Sequence, residues 1–262
     1  MQGWMKEFGE QLHRKSVWAI ASLEHGIGRL IIIWVMVAGA LSALRIAFAA
    51  SPIDGPVVLL QTILPYILVI GAPVAACLIG NALFQRGALF EQPQIRLARY
   101  GKWNAVDCLT ARQHKLFGPT GIMASLVIGM MINVPVRSLE FLAAVPAMNG
   151  HAPLWGQMLF AAMTTDVVVM NFLYMIAFMM ALRNVPWFPR FLLMVWGVDI
   201  ISQVSIAHFV SNAPNLPVPV GDAMGDLLSG NVKKVTISVA IWLPYLLLSQ
   251  RVNLTYRGRL AA

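Results

Sequence analysis

Residues 155–182 read WGQMLFAAMTTDVVVMNFLYMIAFMMAL, an apolar run with one charged side chain, Asp166, near its middle. A continuous apolar stretch of about 18 residues or more is long enough to cross a bilayer as a helix. A transmembrane β-strand would instead show about ten residues of alternating polarity. Five further runs of the same kind lie at roughly 27–50, 57–84, 120–148, 188–210 and 232–250. The pattern therefore predicts an all-α, polytopic membrane protein with six transmembrane helices. Composition agrees. Of the 262 residues, 58% are hydrophobic and 11% charged, against about a quarter charged in soluble domains.

Basic residues test these spans independently and give them a direction. Lys and Arg concentrate in cytoplasmic loops and at the helix ends beside them. With the N-terminus inside, residues 1–29, 86–117, 183–190 and 251–262 fall on the cytoplasmic side and hold 15 of the 19 Lys and Arg. The outer loops 51–56 and 149–154 hold none, and the third, 211–231, is followed by Lys233 and Lys234. Arg45 and Arg137 fall within spans. Every loop agrees on one orientation, with both termini cytoplasmic in a plasma membrane.

The chain then divides at these loops. In 1–26, Trp4, Phe8 and Leu12 recur four apart, with Glu7, Gln11, Arg14 and Lys15 elsewhere around the turn. That is the pattern of an N-terminal amphipathic helix lying at the interface. Residues 27–85 form a two-helix unit whose second member carries Pro65 and Pro73 and is expected to bend. Residues 86–117 form a basic cytoplasmic connection, 118–257 a four-helix unit and 258–262 a tail. Ala47-Phe48-Ala49 has the form of a leader-cleavage site. Arg45, two residues before it, and the long charged segment upstream favour a retained anchor.

A formal net charge of +8 can signal nucleic-acid binding. Here the basic residues border membrane helices and have few aromatics among them. They read as topology determinants and as contacts for anionic lipid headgroups, and no nucleic-acid partner is expected. Cys77 lies in a span and Cys108 in a loop, so neither a disulfide nor metal-ligand spacing follows. The chain has no nucleotide-binding loop, zinc-protease motif or nucleophile elbow. Its histidines are not paired on facing spans as two-haem ligation requires. No metal, cofactor or catalysis is expected.

The stretch Ile241-Trp242-Leu243-Pro244-Tyr245, followed by Ser249, Arg251-Val252 and Thr255-Tyr256, resembles the closing signature of a bacterial inner-membrane family catalogued as domain of unknown function 2569. Gly118 to Arg137, with Pro135-Val136-Arg137 near its outer end, is similar to that family's first helix, and Phe188-Pro189-Arg190 to the start of its third. The likeness covers 118–257. It implies four helices in a bacterial inner membrane and no established activity. Read from the residues themselves, the closing motif is structural. Pro244 lacks an amide hydrogen and would bend the last span, Trp242 and Tyr245 would pack, and Arg251 would meet headgroups or the last helix carbonyls.

Three successive spans each carry a charge deep in the bilayer: Arg137, Asp166 and Asp199. With a rise of 1.5 Å per residue, all three lie within about 8 Å of one level. A lone charge at a helix centre costs about 2.5–3.5 kcal/mol on insertion scales. The three are therefore expected to face one another, with Arg137 bridging the two aspartates. Glu140 shares a face with Arg137 toward the outer rim, and Ser202 and Gln203 share one with Asp199.

Two functions accommodate such a cluster. The leading reading is a non-catalytic accessory, scaffold or assembly subunit of a larger membrane complex, with a membrane-protein partner or a homo-oligomer docked on small-residue faces such as Gly39, Ala43 and Ala47. The alternative is a small transporter or proton/solute pathway organised around Arg137, Asp166 and Asp199. A dry cluster favours the first, and a polar cavity reaching it favours the second. The topology has a direct check. In intact cells Cys108 should resist a membrane-impermeant maleimide and react after permeabilisation, and labelling from outside would reverse the orientation.

Overall fold

The structure, a computed structural model, describes residues 2–88, 90–93 and 101–262, and side chains from residue 11 onward apart from Leu12. Trp4, Phe8 and Leu12, which carry the amphipathic reading, and Arg96 and Arg99 of the connection lie outside the side chains described. Among the described residues the chain is helical apart from two three-residue strands. Its order is α1 (Gln2–Ala47), α2 (Pro56–Leu83), β1 (Trp103–Ala105), α3 (Cys108–Gln113), α4 (Ile122–Ala144), α5 (Leu154–Leu182), α6 (Phe188–Ser211), α7 (Val218–Leu248), α8 (Gln250–Arg257) and β2 (Arg259–Ala261). The six long helices are apolar enough to cross a membrane, making this a multi-pass helical bundle.

The central helix is α5, packed on α2, α4 and α6, while α7 packs on α6. Two-thirds of the most apolar stretch of α5 (67%) is buried, against 11% for α1 and α7. That contrast separates a hub from lipid-facing flanks. Proline sits in the first turn of α2, α6 and α7, where its missing N–H leaves nothing unpaired. The helices continue through Pro65, Pro73, Pro135 and Pro244.

Two elements differ from the sequence expectation. The N-terminal amphipathic segment and the first span are one continuous helix. No proline occurs before Pro52 to end it, and Gly26 and Gly28 cost a helix only about 1 kcal/mol each. Its 46 residues extend about 69 Å, over twice the ~30 Å apolar core. The last helix begins at Val218, not near 232, so 218–231 is helix and not loop. Asp222, Asp226 and three glycines lower the hydropathy there, yet Met224 and Leu228, four apart, are both buried. They pack with Ile206 and Val210 of α6.

Buried apolar side chains form two clusters. One gathers Met123, Met170, Phe178, Phe188 and Leu192 and reaches Tyr256 of α8. The other surrounds Tyr66, Phe141 and Phe160, three rings with centroids 6.1–6.3 Å apart. Arg45, a charge within the first span, is explained at this second end. Its Nε–H donates to the Val145 carbonyl at 3.1 Å, satisfying an orphan acceptor at the end of α4.

At the opposite, basic end, the connection and the C-terminal tail are stitched together. β1 pairs antiparallel with β2, Trp103 opposite Ala261 and Ala105 opposite Arg259. Gly258 turns α8 into β2 with φ 57°, a left-handed cap that favours glycine. The Arg259 guanidinium lies 5.1 Å from the Trp103 ring centre. The 258–262 tail is therefore paired backbone, not a free end.

Gly80 of α2 lets that helix approach α5 closely. A Cβ there would stand 2.7 Å from Cβ and Cγ of Met179 on α5. Gly80→Ala should lower stability by about 1–3 kcal/mol through overpacking, read as a lower unfolding midpoint in detergent. An unchanged midpoint would mean that α2 and α5 pack less tightly than drawn.

Candidate functional site

Arg137, Asp166 and Asp199 sit on α4, α5 and α6, each at least seven residues from either end of its helix, or about two turns. The structure brings the three together. Arg137 Nη1 donates to Asp199 Oδ2 at 3.0 Å and Nη2 to Asp199 Oδ1 at 2.8 Å, a two-pronged contact. Nη2 also donates to Asp166 Oδ2 at 2.9 Å. Exposures of 8%, 4% and 0% place all three out of solvent. Charge-assisted pairs of this geometry are among the stronger hydrogen bonds, although desolvation offsets much of the Coulomb gain.

Polar side chains around the three charges donate to the aspartate oxygens. Ser202 Oγ donates to Asp166 Oδ1 at 2.6 Å, Gln203 Nε2 to the same oxygen at 3.0 Å, and the Tyr174 hydroxyl to Asp199 Oδ2 at 2.8 Å. Ser202 and Gln203 thus share a face with Asp199 but bond to Asp166 across the helix interface. Asn231 of α7 donates to Gln203 Oε1 at 3.1 Å. Glu140 stands apart from the cluster, paired instead with Lys234 of α7. Lys234 also reaches Asn231 Oδ1 at 3.5 Å. On the other side, Asn171 donates to Ser138 Oγ at 2.8 Å. The Nε–H of Arg137 has no protein partner among the described residues.

A cleft of about 170 Å3 lies between α4, α6 and α7. Lys234 and Glu140, the more exposed pair, line one part, and Arg137, Asp199 and Tyr174 line its buried part. Asn133, Asn231 and Ser238 add polar walls, and Trp196 and Trp242 apolar ones. Asp166 does not line it. On the far flank of α4 a larger groove of about 260 Å3 is walled by apolar side chains including Ile31, Trp34 and Pro135. One helix therefore shows lipid-like surroundings on one side and a polar recess on the other.

The closing motif is used differently along its length. Trp242 lines the cleft and stands edge-on to Tyr245, centroids 5.9 Å apart. Pro244 lies inside α7, and Ser249 separates α7 from α8 with an extended ψ of 128°. Arg251 does not meet the last carbonyls of its own helix. It donates to the Leu116 carbonyl at 3.1 Å and to Thr120 Oγ1 at 2.6 Å. Thr255 Oγ1 accepts from the Gly118 amide at 3.0 Å, and the Tyr256 hydroxyl donates to the Ala181 carbonyl at 2.9 Å. These bonds clamp α8 across the start of α4 and the end of α5, a structural role.

Sequence reasoning missed Tyr174, Asn231 and Lys234. Tyr174 lies eight residues after Asp166, close to the same helical face, and that spacing could have found it. Asn231 could not be placed while 211–231 was read as loop, and Lys234 was read only as a charge at the mouth of the sixth span. Comparison with protein-family models, curated proteins and solved structures finds no match to this chain. The likeness to domain of unknown function 2569 gains no support from them.

Charge balance makes a test. Arg137→Gln leaves two buried carboxylates facing each other and should cost about 3–5 kcal/mol. Asp199→Asn leaves one guanidinium with one carboxylate and should cost about 1 kcal/mol. Unfolding midpoints in detergent give the order, and a greater loss in Asp199→Asn would refute this account.

Proposed function

We propose that this protein is a small transporter, moving protons or a solute along a pathway organised around Arg137, Asp166 and Asp199. One observation carries the reading: the polar cleft between α4, α6 and α7 reaches the Arg137–Asp199 pair. A cluster that served only to fix helix register would be sealed by apolar packing. Ionisable groups deep in a membrane commonly mark ion or substrate routes, and this one is reached by a recess. The accessory-subunit reading accounts for the bundle but leaves the recess without a role.

Every residue lining the cleft falls between Leu126 and Trp242. On this reading the four-helix unit, the part that resembles domain of unknown function 2569, is the transport unit, and α1 and α2 flank it. The work is binding and passage, not catalysis. The distribution of Lys and Arg supports a plasma membrane with both termini inside, and a bacterial inner membrane rests on the resemblance to that family alone. At the basic end, burial and then neighbouring Arg259 and Arg190 lower Arg257 to about 10. Such crowding of positive charge suits anionic headgroups.

The test is reconstitution of the purified full chain into liposomes holding a pH-sensitive dye. An imposed pH gradient, with and without a panel of small solutes, should dissipate faster than in empty vesicles. Arg137→Gln and Asp199→Asn should remove that difference. If the wild-type chain moved neither protons nor any solute while retaining a membrane-protein partner through purification, the accessory reading would replace this one.

A further inference from the structure

Resting on the transport reading, we propose that the ligand of this site is a proton and that Asp199 is the residue which carries it. The first ground is charge. One guanidinium faces two carboxylates, so the buried cluster has a net charge of −1. The nearest ion pair, Lys234 with Glu140, is already balanced and leaves that excess in place. A single added proton makes the cluster neutral. A buried charge in a membrane is unfavourable, and a proton is the ligand that cancels it without needing room.

Access then distinguishes the two carboxylates. Asp199 lines the cleft and Asp166 does not. The hydrogen-bonded side chains running from Asp166 through Gln203 and Asn231 to Lys234 are not a proton route. Carboxamide groups donate and accept hydrogen bonds but pass a proton on only through an unfavourable tautomer. The proton therefore arrives through the cleft, past Glu140 and Lys234. The charged and titratable groups around Asp199 are Arg137 from α4, Tyr174 and Asp166 from α5, and, farther along the cleft, Glu140 from α4 and Lys234 from α7.

Tyr174 accommodates both states. In the structure its hydroxyl donates to Asp199 Oδ2. When water in the cleft delivers a proton to Oδ2, the new O–H donates to the phenol oxygen. The phenol hydrogen turns into the cleft, which Tyr174 also lines, and water there accepts it. Arg137 keeps its contact with Oδ1. The O–H bond broken is that of the delivering hydronium, the bond formed is on Oδ2, and Tyr174 reverses one hydrogen bond without ionising.

Infrared difference spectroscopy of the full chain in lipid vesicles, stepped between about pH 9 and pH 4, reads this directly. The expected result is a protonated-carboxyl C=O band at the acid end that is retained in Glu140→Gln and lost in Asp199→Asn and in Asp166→Asn, either of which balances the cluster without a proton. The band is assigned to Asp199 by a frequency shift in Tyr174→Phe that Ser202→Ala, at Asp166, does not produce. Asn is the neutral isostere of the protonated acid and leaves the cluster balanced, so Asp199→Asn should fold. Tyr174→Phe gives a second readout at a residue that does not itself titrate in this band. A band that survives Asp199→Asn, one shifted in Ser202→Ala and not in Tyr174→Phe, or no band beyond that of Glu140 would overturn the proposal. The signal needs no flux. A titrating Asp199 in vesicles that transport nothing would sink the transport reading and keep the proton site, and flux without the band would do the reverse.

Discussion

Arg137 directs both prongs of its guanidinium at Asp199 and one of them also at Asp166, and that contact constrains how α4, α5 and α6 can be assembled. Within a bilayer, lipid tails are as apolar as leucine, so apolar faces alone do little to choose a partner or a rotation. A directional, charged contact does choose. Turning α4 by one residue would carry Arg137 about 100° around the helix and leave two buried carboxylates uncompensated. The two apolar clusters follow from this. Val134 and Trp196 belong to one and Phe141 and Ile206 to the other. Arg137 and Asp199 lie between those members in sequence, so the charges mark the level at which the core divides.

The same contact explains why the recess is polar. With α4, α5 and α6 fixed by the charges, α7 packs on α6 and meets α4 through Lys234 and Glu140. Three of its polar residues, Asn231, Lys234 and Ser238, line the cleft. Met224 and Leu228 hold the first turns of α7 to the apolar cluster. The half-polar character of α7 is what a helix needs when it covers a charged site from one side and faces lipid on the other.

Much of the bundle was legible because membrane solvation simplifies the problem. A run such as 155–182 has one structural solution in lipid, and the aspartate inside it announces a partner by its cost. The three charges could be assigned to one another because three successive spans each held one. What failed to show was whatever hydropathy does not measure. Residues 218–231 carry two aspartates and three glycines and read as loop, yet two apolar residues four apart, Met224 and Leu228, were enough to seat the helix. Tyr174 was hidden by its type, since an aromatic in an apolar run signals packing before it signals a hydroxyl. The partner of Arg251 was illegible because Leu116 and Thr120 lie more than 130 residues upstream, and a sequence pattern carries no sign of such a pairing.

The basic end completes the constraint on the cleft. α8 is clamped by Arg251 to Leu116 and Thr120, by Thr255 to Gly118 and by Tyr256 to Ala181. β2 is paired to β1 of the connection that leaves α2. The C-terminal end of α7 is therefore tied, through α8, to the start of α4 and the end of α5. Its far half, by contrast, is held by an apolar pair on α6, an amide contact to Gln203 and one ion pair to α4. A helix fixed at its foot and lightly tied along its length sets the width of the space it encloses by its own tilt. Trp242, about two turns from the foot, bounds the recess toward the tied end, and Lys234 bounds it farther from the foot. The Lys234–Glu140 pair is exposed enough for solvent to screen it, so the contact that closes the cleft is also the one least costly to part.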